Sequence, residues 1–523
     1  MRIAPVVCVP LLFATLALSD DVYETYSKDK LVGSETASRP EPNAVLKSRT
    51  ELSVEGIHVT LVQEGKLDAT GRRLVSYACD IQAPQGPARV RAKLGESGWV
   101  LDAGTGGDAP PMATKSFPEG ASTIVLDNNL ASHLDLLCRD LVFAGSEAAS
   151  YTALVPQVLA SVPLQAKKVE SSGESIRYRL DAANVLIELN CRKGDGALLD
   201  AAVPIQSARY VRKGYTPQAP KAASAPADAR ERTTVVKGPT GELPAVLTVP
   251  KSDKAVPAVL MLSGSGPNDR DETIGPNKPF RDLALGLADA GIATLRFDKR
   301  TVSLKDPSKA STIHDEYVVD ALEAMKLLRA TEGIDAKRLF VLGHSLGTLA
   351  APLVAKDAGD VRGLLLLAGP ARAPDALLHD QMAFQMKLAG QDAATIQAET
   401  AKIDASFARL KSDPADATAI LGAPAGYWRD LLRLDLATLV RDSKLPALIL
   451  QGEKDIQVSK TLDFEALRAT LGAGDGRYTY KSFADLNHLL MPVTGEGTGK
   501  EYGIAGHVDP AVSRTIASWI KEH

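Results

Sequence analysis

The chain has 523 residues, of which 45% are apolar and 24% are charged, and its formal net charge is −4. These values are typical of globular proteins, and the length exceeds what one hydrophobic core usually supports, so we expect two domains. The slightly acidic balance offers no basic surface for a nucleic acid, and we expect no nucleic-acid partner.

Residues 1–19 have the pattern of a cleaved signal peptide. Arg2 precedes an apolar stretch, and small residues lie directly before Asp20. An uncleaved anchor helix is the alternative, but Pro5 and Pro10 interrupt a stretch that is already short for a bilayer span. No later segment has about 18 uninterrupted apolar residues. We therefore expect a secreted or periplasmic protein with no stable membrane insertion after cleavage.

Residues 20–215 are expected to form a β-rich accessory domain. Its strand-like segments alternate apolar and polar residues between turns, as in GIHVTLVQ, RRLVSYACDIQAP, ARVRAKL, SIRYRLD and ANVLIELNCR. One stretch, SYTALVPQVLASV at 150–162, is expected to be helical. Two of the strand-like segments carry Cys79 and Cys191 and end in charged turns, which hints at a duplication but does not establish one.

The cysteines leave their pairing open. Cys8 would leave with the signal peptide, and Cys79, Cys138 and Cys191 would remain. Two of these could pair in an oxidising compartment, and any of them could be a buried thiol among apolar neighbours. No C-x-x-C spacing occurs, so no metal site is expected.

A Pro- and Ala-rich segment at 216–230, TPQAPKAASAPADAR, has the composition of a linker. After it, apolar strands alternate with amphipathic helices over residues 231–523, which predicts an α/β fold with a mostly parallel sheet. Strands are expected at 255–264, 292–298, 338–343, 361–369 and 445–452, and helices at 280–291, 311–330 and 346–356.

The segment at about 371–444 is too long for a loop of an α/β unit, and its composition is helical. An insertion at the carboxyl edge of the sheet would cover the ligand site, so we expect a helical lid. The alternative is a helical excursion that lies away from the site.

The sequence VLGHSLGTLA places Ser345 in a G-x-S-x-G motif between an expected strand and an expected helix. Gly343 and Gly347 would allow a tight, strained turn that presents the serine hydroxyl at the sheet edge. The motif alone is weak, but its position between strand and helix favours a nucleophile.

A serine nucleophile needs a histidine base and a carboxylate that orients the base. In this fold the carboxylate follows the serine along the chain and the histidine comes last. Asp455 comes just after one buried strand, and His488 comes after the next. We therefore expect Ser345, Asp455 and His488 to form a catalytic triad.

Four other residues compete for these two roles. His507 precedes the terminal helix and His523 is the last residue, so both are less favoured than His488 as the base. Asp485 shares the loop of His488 and is expected to form a turn, and Glu453 lies closer to its strand.

Acyl transfer also needs hydrogen-bond donors for the oxyanion. The N–H of Leu346, directly after the nucleophile, is one expected donor, and the N–H of Ser265 in SGSGPNDRDE is the other. An ordinary Gly/Pro turn or a phosphate-binding loop are the alternatives, but the P-loop ending and dinucleotide spacing are missing.

Residues 231–523 resemble the α/β-hydrolase superfamily. The motifs LSGSGPNDRDE, LRFDKR, GHSLG, QGEKDIQV and NHLL are similar to those of bacterial serine esterases that carry an additional N-terminal domain. The resemblance implies carboxylesterase activity with the same three triad residues, although related members are classed with serine aminopeptidase-like hydrolases.

One motif departs from its relatives, because Thr301 replaces the glycine that commonly follows DKR. Asp298 and Arg300 are expected to form a structural ion pair near the site. The charged residues Asp269, Arg270 and Asp271 are expected to be structural as well, with substrate contact by Arg270 as the alternative.

Together these features predict an exported serine hydrolase that cleaves small-molecule carboxylic esters through an acyl-enzyme and needs no cofactor. A serine peptidase on the same fold is one alternative. A non-catalytic binding protein is the other, although every triad position is filled. The sequence does not determine the acyl group or the oligomeric state.

Overall fold

The computed structural model describes residues 21–523 except 28–29, 42–43, 55–56, 85, 106–109, 121, 129, 183–184, 204–207, 218–229, 240, 303–311, 389, 422 and 473. The predicted signal peptide and most of the predicted linker lie outside the described residues. Two compact units are present. The first comprises the described part of Met1–Tyr178 with Leu189–Ala201 and Arg209–Pro217, and the second comprises Arg179–Glu188, Ala202–Ala208 and the described part of Gln218–His523.

The N-terminal part of the chain is built on a sheet in which fifteen described strands take part. They are hydrogen-bonded in the order β8-β7-β6-β5-β4-β3-β2-β1-β15-β14-β13-β12-β11-β10-β9. The strands are β1 (Asp21–Ser27), β2 (Lys30–Glu41), β3 (Val45–Val54), β4 (Ile57–Leu67), β5 (Leu74–Ala83), β6 (Gly86–Gly95), β7 (Gly98–Gly104), β8 (Ala113–Phe117), β9 (Thr123–Val125), β10 (Ala148–Val155), β11 (Ala160–Ser172), β12 (Ser175–Ala182), β13 (Val185–Arg192), β14 (Leu198–Val203) and β15 (Ala208–Arg212). The five quoted strand-like segments lie in β4, β5, β6, β12 and β13, so the expectation of a β-rich region is confirmed.

The helix expected at 150–162 is wrong. This stretch forms the end of β10, a short 3₁₀ turn at Pro156–Val158 and the start of β11, which pair with each other as an antiparallel hairpin. Two prolines, Pro156 and Pro163, disfavour a helix, and pairing between the strands satisfies the backbone instead. A helix does lie in the described part of this region, but it is α1 (Ala131–Ala144), in which every residue from Ala131 to Cys138 is buried.

The first unit contains a disulfide bond between Cys138 of α1 and Cys191 of β13, with their Cα atoms 5.7 Å apart. Cys79 of β5 is a buried free thiol. Burial raises the pKa of the Cys79 thiol to about 12, so its reactive thiolate form is scarce at neutral pH.

The second unit contains a sheet of eight strands in the order β16-β17-β19-β18-β20-β21-β22-β23. The pairs β16/β17 and β17/β19 are antiparallel, and the pairs from β19 to β23 are parallel. The strands are β16 (Glu231–Gly238), β17 (Gly241–Thr248), β18 (Val256–Leu262), β19 (Ala293–Phe297), β20 (Ile334–His344), β21 (Val361–Leu367), β22 (Ala447–Gly452) and β23 (Tyr478–Phe483). The expected α/β fold with a mostly parallel sheet is confirmed.

Helices cover both faces of this sheet. They are α2 (Pro279–Asp289), α3 (Val319–Ala330), α4 (Gly347–Ala358), α5 (Pro374–Leu388), α6 (Ala393–Ser412), α7 (Ala425–Leu431), α8 (Leu436–Ser443), α9 (Glu465–Leu471) and α10 (Pro510–Glu522). Single π-helical turns precede α3 and α9, at His314–Val318 and Lys460–Phe464, and short 3₁₀ turns lie at Arg300–Val302, Gly474–Gly476 and Lys500–Gly503.

The two cores on the faces of the sheet explain why the sequences of its strands are continuously apolar. In β18, Ala258, Leu260 and Leu262 belong to the core that includes α3 and α4. Val259 and Met261 belong to the core on the other face, which includes α2 and α10. A parallel strand covered on both faces needs an apolar residue at every position.

Between β21 and β22 the chain forms the four helices α5 to α8, as the composition of this segment predicted. Trp428 of α7 and Leu436 and Val440 of α8 are buried in the core, whereas no residue of α5 is fully buried. Ile403 and Phe407 of α6 are buried in the same core, so the insertion is anchored by α6, α7 and α8. Across the described residues, we find no helix with the length and apolar character that a membrane span requires.

Candidate active site

Three parallel strands bring the predicted triad residues to one edge of the sheet. Ser345 follows β20, Asp455 follows β22, and His488 follows β23. The carboxyl ends of parallel strands lie at the same edge, which is where α/β proteins bind ligands.

Ser345 lies in a strained turn between β20 and α4. Its backbone φ is +50°, a value that residues other than glycine rarely adopt. The N–H of Ser345 donates to the carbonyl of Leu367 at 2.9 Å. The turn requires both flanking glycines, because a Cβ at Gly343 would lie 2.2 Å from the carbonyl oxygen of Gly347 and one at Gly347 would lie 2.4 Å from that of Leu262.

His488 and Asp455 form a buried hydrogen-bonded pair. The Nδ1–H of His488 donates to Oδ2 of Asp455 at 2.7 Å, and neither side chain is more than 5% exposed. Because Nδ1 carries the proton, Nε2 is left as the basic nitrogen of the ring.

Asp455 is held by hydrogen bonds from its own loop and strand. The Nε2 group of Gln451 donates to Oδ2 at 2.9 Å, and the N–H groups of Gln457 and Val458 donate to Oδ1 at 2.8 and 2.9 Å. These donors hold the carboxylate in place, so that its Oδ2 can orient the ring of His488.

The four rival residues have other surroundings. His507 is 84% exposed and contacts Asp282, and the His523 ring donates to the carbonyl of Trp519. Glu453 pairs with Lys460 and accepts from Ser482, and Asp485 is exposed. The structure therefore brings neither of the rival carboxylates to His488.

The expected oxyanion donors lie on two elements beside Ser345. Leu346 directly precedes α4, and Ser265 lies in the loop after β18. An ideal Cβ built on Gly264 would lie 3.2 Å from Cβ of Ser345, so this loop contacts the nucleophile. Within the described ranges, the N–H groups of Ser265 and Leu346 have no acceptor. By contrast, the N–H of Gly264 is occupied because it donates to Glu272 at 2.6 Å.

Sequence reasoning missed a buried pair, Glu272 and His344, behind the nucleophile. Nδ1 of His344 donates to Oε1 of Glu272 at 2.9 Å, and Nε2 donates to the carbonyl of His488 at 2.9 Å. Burial lowers the pKa of His344, but Glu272 and the His488 carbonyl outweigh this and raise the pKa above its usual value. Both residues lie in motifs quoted above, GHSLG and LSGSGPNDRDE, but nothing in these motifs indicates that the two residues pair.

A second buried pair, Lys299 and Glu316, was also missed. Lys299 is 3% exposed, and its Nζ lies 2.8 Å from Oε1 of Glu316. Burial lowers the pKa of Lys299, while the carboxylate of Glu316 opposes this effect. The sequence singled out Asp298 and Arg300 on either side of this lysine, but only the fold shows that its ammonium lies next to Glu316.

The ion pair expected between Asp298 and Arg300 is wrong. Asp298 accepts from the backbone N–H and the guanidinium of Arg270, at 2.8 and 3.2 Å, whereas Arg300 forms a buried bidentate pair with Asp320 of α3. Both residues follow the end of β19, and the fold brings a different partner within hydrogen-bond reach of each. Asp271, as expected, has a structural role and pairs with the buried Arg296.

The helical insertion contacts the π-helical turn before α3 and the loop after β22 that carries Asp455. The hydroxyl of Tyr427 in α7 donates to Glu316 at 2.8 Å, and the amide of Gln381 in α5 donates to the carbonyl of Gln457 at 2.9 Å. Gln457 lies two residues after Asp455. These contacts favour a lid over a distant helical excursion.

Comparisons with known proteins identify a matching family and a related esterase. The family described as serine aminopeptidase, S33, matches residues 278–492. Esterase EstD from Thermotoga maritima is 38% identical over 297 residues, which make up 56% of this chain and 68% of EstD. The matched family region contains Ser345, Asp455 and His488.

Solved structures of two other esterases are similar to this chain. The esterase domain of a Rhodothermus marinus protein is 18% identical with a TM-score of 0.35, and the match covers 56% of this chain and 98% of that domain. Est1E from Butyrivibrio proteoclasticus is 15% identical with a TM-score of 0.37, and the match covers 55% and 98%.

Proposed function

The chain belongs to the α/β-hydrolase superfamily, in the group of serine esterases related to EstD, and on that premise we propose that Ser345, His488 and Asp455 are its catalytic triad. The enzyme is a carboxylesterase-type hydrolase. The observation that carries the triad proposal is the buried 2.7 Å hydrogen bond from His488 to Asp455 at the sheet edge where Ser345 also lies.

The proposed reaction begins when the Ser345 hydroxyl attacks the ester carbonyl while Nε2 of His488 takes its proton. Asp455 holds the ring in the tautomer that leaves Nε2 free and stabilises the imidazolium that forms. His488 then protonates the departing alcohol, and an acyl-enzyme ester on Ser345 remains. Water activated by His488 attacks this ester and releases the acid and the free serine.

The negative charge that develops on the carbonyl oxygen needs donors that are already in place. We propose the N–H groups of Ser265 and Leu346 for this role. Their lack of other acceptors in the described structure and the proximity of the Ser265 loop to Ser345 support it.

We propose small-molecule esters with small or medium acyl groups as substrates, beneath a lid formed by residues 371–444. A second candidate, a serine peptidase, is favoured by the description of the family that matches residues 278–492. We propose ester cleavage first, because the match to an esterase extends over more of the chain.

The test combines covalent labelling with kinetics. A fluorophosphonate should label the wild type and not Ser345→Ala, and Ser345→Ala should lose at least about 10³-fold in kcat/KM on nitrophenyl esters. Nitrophenyl esters of graded acyl chain length would measure which acyl length the pocket accepts. Aminoacyl-anilides would test the peptidase alternative. Unchanged ester hydrolysis in Ser345→Ala would refute the proposal, and a preference for anilides would reverse the order of the two candidates.

Matched variants test the other two triad members. His488→Ala should lower kcat by about 10³-fold or more, and Asp455→Asn should have a similar effect because it permits the wrong tautomer. The controls His507→Ala and Asp485→Asn should stay close to the wild type. A large loss in His507→Ala with a retained rate in His488→Ala would show that the base is misassigned.

We also propose that the chain is exported through the signal peptide predicted at residues 1–19. The disulfide between Cys138 and Cys191 supports this proposal, because disulfides persist mainly in oxidising compartments. Fractionation of producing cells, with N-terminal sequencing of the mature chain, tests it. Recovery of the protein in the cytoplasm with residues 1–19 attached would contradict export.

A further inference from the structure

The peptide group between Gly264 and Ser265 is held by an unusual number of donors. Its carbonyl oxygen accepts from Nζ of Lys299 at 2.8 Å, from the hydroxyl of Tyr317 at 2.7 Å and from the side-chain amide of Asn268 at 3.0 Å. Lys299 and Tyr317 are both buried, and they also contact each other, because Nζ donates to the Tyr317 oxygen at 2.7 Å.

The other end of this peptide group is the N–H of Ser265, the proposed oxyanion donor. A peptide group is planar and nearly always trans, so its C=O and N–H point in opposite directions. Donors that fix the carbonyl of Gly264 therefore also fix the direction of the Ser265 N–H. The loop is anchored a second time, because the N–H of Gly264 donates to the buried Glu272.

These bonds also affect how strongly the Ser265 N–H can donate. A hydrogen bond to a peptide carbonyl polarises the whole group, which strengthens its N–H as a donor by perhaps 10–30% per bond. An ammonium is a stronger donor than a neutral group. The ammonium of Lys299 lies in a site shielded from water, where its effect on the peptide group is weakly screened.

A buried ammonium is costly unless it is paired, and here the pairing is complete. Glu316 supplies the counter-charge, and Gly264 and Tyr317 supply the two remaining acceptors for the three N–H groups of Lys299. Glu316 in turn accepts from Tyr427 of the insertion. Folding alone does not require a charge here, since an apolar side chain would avoid the desolvation cost.

We propose that Lys299, assisted by Tyr317, is a positioning residue that orients and polarises the Ser265 N–H toward the oxyanion of the reacting ester. The inference rests on the proposed esterase function. Lys299 does not touch the substrate and acts through the peptide group of Gly264 and Ser265. Its contribution is therefore made in the transition state, when the carbonyl oxygen becomes negative, rather than on binding the uncharged ester.

The experiment uses the full chain and two variants. Tyr317→Phe removes one hydroxyl, and the double variant Lys299→Met with Glu316→Gln removes the ammonium without leaving a buried carboxylate unpaired. For each, kcat and KM are measured on a nitrophenyl ester, and the inhibition constant is measured for a trifluoromethyl ketone, whose adduct with the serine carries an oxyanion.

The double variant should lose about 10- to 100-fold in kcat, which is no more than the effect of removing one oxyanion donor. The loss in Tyr317→Phe should be smaller. KM should change by less than about threefold, and the inhibition constant of the ketone should rise in proportion to the loss in kcat. Lys278→Met is the control, because Lys278 pairs only with Asp271 among described residues, and it should match the wild type.

Retention of kcat and ketone affinity in both variants would overturn the inference, as would a fall in kcat with no change in ketone affinity. If the double variant does not fold, as judged by its melting temperature, Tyr317→Phe alone carries the test. Failure of the proposed function is separate, because it would appear as ester hydrolysis by Ser345→Ala whatever the Lys299 variants do.

Discussion

At the residue scale, His344 links three parts of the site. It precedes Ser345 in the chain, donates to Glu272, which holds the Gly264 loop, and donates to the backbone carbonyl of His488. The carbonyl of His488 and the carboxylate of Glu272 can both only accept a hydrogen bond. Together they favour an imidazolium of His344 with both ring nitrogens protonated. The raised pKa of His344 agrees with this protonation state.

The first prediction concerns the pH dependence of stability in Glu272→Gln. A histidine whose pKa is raised by folding adds stability that is complete below its unfolded pKa of about 6.5 and is lost as pH rises through the folded pKa. Wild type should therefore melt about 5 °C above Glu272→Gln at pH 6, and this difference should shrink as the pH rises. Thermal unfolding from pH 5.5 to 9 measures it.

Asp404→Asn provides the control for this prediction. It removes the partner of His379 on the insertion, where both side chains are well exposed and an ion pair contributes little. Its melting temperature should stay within about 1–2 °C of wild type over the whole range. A difference between wild type and Glu272→Gln that grows with pH would show that His344 is not held as an imidazolium.

At the scale of elements, the turn from β20 into α4 determines where the nucleophile lies. The turn is compact because Gly343 and Gly347 contact backbone atoms that leave no room for a side chain. The helix that follows packs against β18 and β20, so a shift of the turn would move Ser345 relative to Ser265 and His488.

The second prediction is that Gly347→Ala damages catalysis more than stability. The new Cβ would meet the carbonyl oxygens of Leu262 and Ser263 at 2.4 and 2.7 Å, and the turn must shift to relieve the contacts. We expect a loss of about 1–3 kcal/mol in stability and of about 10²-fold in kcat/KM. Thermal unfolding and ester hydrolysis measure the two effects.

Gly359→Ala, at the other end of α4, is the matched control. Gly359 has a φ of +79° and open space around its Cβ position, so alanine should cost about 1–2 kcal/mol of backbone strain and leave kcat/KM unchanged. Equal kcat/KM values for the two variants would show that the close contacts of Gly347 are not needed to position Ser345.

At the scale of the whole molecule, the two units are stabilised in different ways. The second unit has two apolar cores on the faces of a mostly parallel sheet. The first contains most of the long sheet and, among its described residues, the helix α1, which a disulfide joins to β13 across 53 residues of chain. A cross-link over a loop of this length restricts the unfolded chain strongly.

The third prediction is that removal of the disulfide destabilises the protein without stopping catalysis. Replacing Cys138 and Cys191 by alanine should cost about 4 kcal/mol by the loop-entropy relation. Ester hydrolysis at 25 °C should persist, because the proposed catalytic residues belong to the second unit. Thermal unfolding with and without dithiothreitol, beside an activity assay, measures both.

Cys79→Ala separates the disulfide from the free thiol. This variant should keep the wild-type response to dithiothreitol, whereas the double variant should show none, since Cys79 is buried and unpaired. A wild-type melting temperature that does not respond to the reductant, in protein whose thiols are shown to have been reduced, would contradict a stabilising role of the bond.

Most of the second unit could be predicted locally. Strands buried on both faces are apolar at every position, and amphipathic helices repeat their apolar residues about every 3.6 positions. The G-x-S-x-G turn depends on two glycines within a segment of five residues. The order of Asp455 and His488 along the chain follows from the parallel sheet. The expected helix at 150–162 failed because pairing with a neighbouring strand outweighs local propensity, and the sequence does not reveal that neighbour.

The sequence by itself therefore determined the fold class of the second unit, the turn that carries Ser345, and the candidates for the histidine base and for the carboxylate that orients it. Only the tertiary structure decided the partners: Asp298 with Arg270, Arg300 with Asp320, His344 with Glu272, and Lys299 with the peptide group of Gly264. The physical reason is that side-chain charges are satisfied by whichever groups the fold brings within hydrogen-bond reach, and these lie 20 to 72 residues apart in the chain.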